Sequence, residues 1–207
     1  MYIPEFNRVE DNAVTLGFLQ ANPFAILISA TEAGPFATHL PILARETDGR
    51  LHLRGHVAKA NPHWKLLEQE QESLVVFNGP HAYISPSLYE IRESVPTWNY
   101  AAVHVYGRGT VFTDEARLSE LLLELIERFD SSYLEQWSSL GEQYRNRMLQ
   151  HIVGFEVAAT RVETKFKLSQ NRTKAERENV IRSLASSTDS NVAAVAALMK
   201  ARGLGSP

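Results

Sequence analysis

The sequence predicts a mostly β fold with added helices, a barrel rather than a parallel sheet. Three observations point there. Short apolar runs separated by turn signals fill the first 112 residues, and closely spaced strands of this kind favour an antiparallel barrel. The apolar period then switches from strand to helix spacing after residue 113. The 207 residues also hold no internal repeat, low-complexity tract or linker. One domain over 1–207 is therefore expected, with a helical extension from about 173 to 207.

Taken in order, residues 12–20 read as a short helix. Residues 24–29 (Phe-Ala-Ile-Leu-Ile-Ser) form an apolar run with β-branched members, which predicts a strand buried on both faces. Ala33-Gly34-Pro35 breaks that run, and residues 36–43 follow as its hairpin partner. Asp48-Gly49 is a two-residue turn signal leading into a strand over 51–56. Further strands are expected at 73–78, 82–85 and 102–112. Thr113-Asp114 reads as a helix N-cap, and Leu118, Leu121, Leu122, Leu125, Ile126 and Phe129 recur at helical spacing. A second helix over 142–151 precedes a strand over 153–162. Two helices, 174–185 and 190–202, close the chain with Asp189 as a cap.

Composition excludes several classes. With no cysteine, disulfide scaffolds, thiolate catalysis and Cys-ligated metals are ruled out. The start carries acidic residues and no apolar core, unlike a signal peptide. No window approaches the roughly 18–20 apolar residues that span a bilayer, so a soluble protein is expected, and the lack of cysteine fits an expected cytoplasmic setting. Charge is uneven: residues 1–160 carry a net −8 and residues 161–207 a net +5. The basic tail could meet phosphate, a nucleic acid or the acidic body of its own fold.

P-loop, dinucleotide-binding, nucleophile-elbow and metalloprotease motifs are absent. Polar and aromatic residues concentrate instead in four clusters. Residues 55–64 (Gly-His-Val-Ala-Lys-Ala-Asn-Pro-His-Trp) end a strand and start a helix with His56 and Lys59 at the turn. That is either a phosphate-binding corner or an ordinary one. Residues 77–89 carry Gly79-Pro80 and Ser85-Pro86, which place the segment at an edge or bulge. In residues 95–107, Trp98 and Tyr100 alternate with Thr97 and Asn99. Such a strand can hold a ring or simply pack in the core. Residues 165–172 (Lys-Phe-Lys-Leu-Ser-Gln-Asn-Arg) read as a basic loop after a strand. His39, His56, His81 and His104 lack close ligand spacing, so no metal site is expected.

Together these segments, with Ala37-Thr-His-Leu-Pro41, resemble the PaiB-like family of FMN-binding negative transcriptional regulators, over nearly the whole chain. The resemblance implies a six-stranded antiparallel FMN-binding split barrel with C-terminal helices, a homodimer, and FMN at each subunit interface. It implies that His56 and Lys59 meet the flavin phosphate and that Thr38 and His39 line the same pocket. Trp98 and Asn99 would approach from a neighbouring strand, and Lys167, Ser169, Gln170 and Asn171 would close the site. The apolar runs 24–28 and 103–105 need cover, which a dimer supplies. No residue stands out as a catalytic acid or base. Two readings remain open: a flavin-linked negative regulator, or a flavin-dependent oxidoreductase with an indirect regulatory effect; a heme-binding variant of the barrel is a distant third. DNA contact lacks a clear reading element, because the last helix is rich in Ala and Val.

Overall fold

The computed structural model describes residues 1–69 and 71–205. Among these, seven strands form one sheet: β1 (Phe24–Thr31), β2 (Gly34–Pro41), β3 (Leu43–Thr47), β4 (Arg50–Ala58), β5 (Glu72–Ile84), β6 (Thr97–Phe112) and β7 (Ile152–Lys167). Their order is β2-β1-β5-β6-β7-β4-β3. The pairs β1/β2, β1/β5, β3/β4 and β4/β7 are antiparallel. The six strands implied by the resemblance are seven here: the run 36–43 is split into β2 and β3, while the runs 73–78 and 82–85 join as β5. Pro41 ends β2, the Ile42 N–H donates to the Pro23 carbonyl at 2.8 Å, and β3 begins one residue later.

Among the described residues seven α-helices accompany the sheet: α1 (Asn12–Ala21), α2 (His63–Leu67), α3 (Glu115–Asp130), α4 (Leu134–Ser139), α5 (Glu142–Leu149), α6 (Lys174–Ala185) and α7 (Ser190–Ala201). The sequence reading missed α4. Among the described residues no helix is long and apolar enough to cross a membrane.

The chain divides into two compact units, one of residues 19–77 and 104–162 and the other of residues 1–18, 78–103 and 163–207. In the first, β1 and β2 pair along their whole length around the Glu32-Ala33 turn, with Thr31 opposite Gly34. Ala25, Leu27 and Ser29 are buried, whereas Ile26 and Ile28 are half-covered and Phe24 is 66% exposed. This strand is therefore buried on one face only. Asp48 and Gly49 both take positive φ, 53° and 73°, the geometry of a tight hairpin turn, and β3 pairs with β4 from Thr47↔Arg50 onward. Asp114 caps α3 through the Arg117 N–H at 3.0 Å. The helix then packs Leu118, Leu121 and Leu125 with Phe112 and Leu149. Phe129, expected on that face, is exposed, since it lies at the end of α3 beyond the last buried turn.

In the second unit, the later part of β5 continues through Gly79-Pro80 rather than breaking into two strands. The buried positions shift from Ser73, Val75 and Phe77 to Ala82 and Ile84, so the side chains change face across 78–81, as at a bulge. Pro80 lies beyond Leu74–Val76, the stretch paired to β1, where its missing N–H costs that ladder nothing. β6 and β7 are longer than the sequence suggested. Val103, and Val105 in the first unit, are fully buried within the chain and need no further cover. The tail is a helical hairpin with a capping box at Thr173 and Glu176 and an Asp189 cap on α7. Val180, Ile181, Leu184, Val195, Ala196 and Met199 are its buried apolar residues.

Candidate functional site

The corner after β4 is built by close packing. A Cβ on Gly55 would lie 2.9 Å from the ring of Phe155, its partner on β7, and 3.3 Å from the Pro41 carbonyl, so glycine makes room for that ring over β4. Past the strand end, the Lys59 N–H donates to the His151 carbonyl at 2.8 Å, and its own carbonyl accepts from Trp64 Nε1 at 3.0 Å. The backbone of Lys59 is thereby clamped on both sides while its side chain stays exposed. Two positions before the clamp, Val57 is buried, and His56 lies half-buried on the opposite face with His52 and Arg54. Its Nδ1 is buried without a hydrogen-bond partner among the described residues, and burial pushes its pKa down.

Behind this corner lies a buried hydrogen-bond chain that the sequence reading did not single out. His63 is fully buried. Its Nδ1 meets Thr38 Oγ1 at 2.8 Å and its Nε2 meets Ser29 Oγ at 3.0 Å, and Ser29 continues to Ser73 Oγ at 2.7 Å. Asn61 joins the ends, accepting from the His63 N–H at 3.0 Å and donating from Nδ2 to Thr38 Oγ1 at 3.1 Å. The Phe36 ring stands edge-on to His63 at 5.1 Å. Burial lowers the His63 pKa to about 4, which makes it a neutral imidazole at physiological pH. The signal for this chain was the Asn61-Pro-His63 run, but partners at 29 and 38 become visible only once β1 and β2 are paired.

Thr38 and His39 do not share a face. Thr38 turns inward to this chain, whereas His39 is exposed on the other side of β2, 6.4 Å from the Phe24 ring. Because α2 is a single turn of five residues, the anion-binding capacity of the corner rests on Lys59 and side-chain donors rather than on a helix dipole. The exposed ammonium of Lys59 on its clamped backbone and the unpartnered ring nitrogen of His56 are the groups of this corner with the chemistry for a phosphate, such as that of a flavin mononucleotide, whereas the Thr38 hydroxyl is engaged with His63 and Asn61.

The other unit holds the remaining expected residues. Trp98 is 52% exposed and stands 6.0 Å from Tyr83 and 6.1 Å from His81. These aromatics edge a cavity of about 400 Å³ lined by Asn78, Gly79, His81, Trp98, Tyr100 and Ala101. Asn99, next along β6, points the opposite way and is fully buried. Its amide exchanges hydrogen bonds with Ser169 Oγ at 2.9 and 3.2 Å and reaches Met199 Sδ at 3.8 Å. The polar face of this strand is thus its interior one, and Asn99 and Ser169 are joined to each other rather than turned to the cavity. Ser169 takes φ 62°, a left-handed conformation at the end of β7.

Lys165 and Lys167 lie within β7, not on the loop that the sequence suggested. Lys165 donates to the Tyr2 carbonyl at 3.0 Å and lies 5.2 Å from the Tyr100 ring centre. Lys167 donates to Thr97 Oγ1. Its pKa is lowered by burial, raised by Tyr100 and lowered by Lys165. Gln170 folds back on its own strand end, accepting from the Leu168 N–H and donating to the Phe166 carbonyl. Asn171 is exposed. Among the described residues no cluster of His, Cys, Asp or Glu could hold a metal ion.

Residues 1–161 match the protein family described as "Putative FMN-binding domain". The chain is 37% identical over 204 residues, 97% of each chain, to "Protease synthase and sporulation protein PAI 2" of Bacillus subtilis. It is 32% identical to an uncharacterized protein of Emericella nidulans, over 87% of this chain and 89% of that one. Among solved structures, the flavocytochrome Anf3 of Azotobacter vinelandii superposes with a TM-score of 0.62 at 18% identity, over 80% of this chain and 72% of the other. The FAD and heme binding protein of Mycobacterium smegmatis gives 0.62 at 15% identity, over 78% and 73%. At these identities the structural likeness concerns the fold.

Proposed function

This chain belongs to the PaiB-like family, whose FMN-binding domain occupies residues 1–161, and from that premise we propose that it is a flavin-linked negative regulator of transcription built as a split-barrel homodimer. FMN is its cofactor. In this reading one FMN lies at each interface between copies, with its phosphate on the corner at His56 and Lys59. The observation that carries it is the clamped backbone and free ammonium of Lys59. The fold likeness to the flavocytochrome and to the FAD and heme binding protein supports the split barrel.

When bound, FMN supplies the electron-transfer chemistry. The protein's own groups do the rest. Lys59 acts on the phosphate as a point charge, and neutral His56 can donate from one ring nitrogen. Trp98, exposed beside Tyr83 and His81, offers a flat face to an aromatic ring, with Lys167, Ser169, Gln170 and Asn171 on the strand end that completes its unit.

Lys59→Ala tests the corner. The expected loss for FMN is roughly 1.5–3 kcal/mol, the range for a hydrogen bond to a charged group, with riboflavin little affected. Equal losses, read by flavin fluorescence titration, would remove Lys59 from the phosphate.

The second reading, a flavin-dependent oxidoreductase with an indirect regulatory effect, is favoured by the disposition of the basic tail. Arg177 donates to the carbonyls of Arg172 and Leu204 at 2.5 and 3.0 Å, Arg172 stacks 3.7 Å over Tyr89, and Lys174 pairs with Glu178. These cations already have partners within the chain. Purified protein should therefore show only weak, sequence-independent DNA binding that vanishes near physiological salt. Tight, sequence-selective gel shifts at about 150 mM salt would establish direct DNA reading instead.

A further inference from the structure

The hydrogen-bond chain behind the Lys59 corner has a directional property. The Asn61 side chain is oriented by its own bond: Oδ1 accepts from the His63 N–H, so Nδ2 faces Thr38. Thr38 Oγ1 is consequently an acceptor from Asn61, and it owns a single proton to give. That proton has two destinations. If His63 carries its proton on Nε2, then Nδ1 is bare and the Thr38 O–H points inward to it. If His63 carries its proton on Nδ1, that N–H donates to Thr38 as a second donor. The Thr38 O–H is then driven outward, away from both partners. The serines accommodate either state, since a hydroxyl can donate or accept. In the first, Ser29 accepts from Nε2–H; in the second, Ser29 donates to Nε2 and accepts from Ser73, at the observed 3.0 and 2.7 Å.

We propose that His63 is a positioning residue for the flavin phosphate, acting through Thr38: an anion at the corner selects the Nδ1–H tautomer, which presents the Thr38 hydroxyl to it as a donor. The interchange moves one proton from Nε2 to Nδ1 with no net uptake, so the site gains a donor without burying a charge. Three features make the device workable. His63 is fully buried, so water does not compete for its nitrogens. Phe36 holds the ring edge-on, and Thr38 is only half-buried on β2. The inference rests on the phosphate reading of this corner.

The test uses the intact protein labelled with ¹⁵N-histidine, with and without FMN. His63 nitrogen shifts should report Nε2–H in the free protein and Nδ1–H in the FMN complex. The same tautomer in both states would overturn the proposal. In parallel, Thr38→Val should weaken FMN at least about tenfold and riboflavin hardly at all, while Thr38→Ser keeps FMN affinity. Equal weakening of both ligands by Thr38→Val would also overturn it. The two ideas separate cleanly. If Lys59→Ala discriminates FMN from riboflavin and Thr38→Val does not, the phosphate corner stands and the role of His63 falls. If neither discriminates, both fall.

Discussion

His63 is a neutral imidazole in the core of its unit, and this has a sign that can be checked. In the unfolded chain it protonates near 6.5, in the folded one only near 4. Between those values the unfolded state binds more protons, so stability falls as pH drops through that window. The expected loss is roughly 3 kcal/mol once pH is below the folded value, at about 1.4 kcal/mol per unit. Burial of His56 acts in the same direction. Urea midpoints should decline from pH 7 to pH 4.5, and the decline should be shallower in His63→Gln. An equal slope in that variant would show that His63 is not the group responsible. The sequence displayed the residues of this chain but not the chain itself, because a hydrogen bond from position 63 to positions 29 and 38 depends on strand pairing. Trp98 and Asn99 teach the same lesson. Their alternation was plain, yet which of them faces inward was decided by what waits there: Ser169 and Met199 satisfy an amide, whereas an indole would find no such match.

At the scale of elements, turn and cap chemistry was the most legible. Asp48-Gly49, Asp114 and Asp189 each act through local geometry, and each lies where the sequence placed it. What escaped was continuity. Pro80 suggested a break in β5, but bending the strand by a change of face keeps it intact. The basic run at 165 suggested a loop, but β7 carries Lys165 and Lys167 as strand residues with their own acceptors. Close strand approach also makes a glycine prediction possible. A Cβ on Gly107 would sit 2.4 Å from the Ala158 carbonyl oxygen, a backbone atom that cannot rotate away. Gly107→Ala should lower stability by at least about 2 kcal/mol, as overpacking does in dense interiors. Gly141→Ala, where nothing lies within 4 Å, is the control. Thermal melts showing the same small shift for both would contradict the reading of β6 against β7.

For the molecule as a whole, the family and the mostly β architecture were carried by motifs in the right order, whereas the assembly was not. The two apolar runs differ in their exposure. Val103 and Val105 are covered by the chain itself, while Phe24 is left 66% exposed with Tyr83 and Trp98 each at 52%. Exposed aromatics of this size are what a second copy would bury. Light scattering at micromolar concentration should return twice the 23.3 kDa chain mass, and a Phe24→Asp variant should shift it toward the single-chain value. A monomeric parent protein would remove the homodimer from the proposed function.

The turn at Asp48-Gly49 bears finally on time. It closes a five-pair ladder over two residues, from Thr47↔Arg50 to Leu43↔Arg54. Such a loop costs little chain entropy to close, and hairpins of this kind form in microseconds. β7, by contrast, must reach β4 across about a hundred residues, His52 finding Ala158, which is slow for any chain. The hairpin therefore belongs to the earliest structure on the folding route, and β4 must wait, already shaped, for its distant neighbour. Gly49→Ala strains a backbone at φ 73° and should slow refolding several-fold with little effect on the unfolding rate. Stopped-flow traces in which only unfolding accelerates would place this hairpin late.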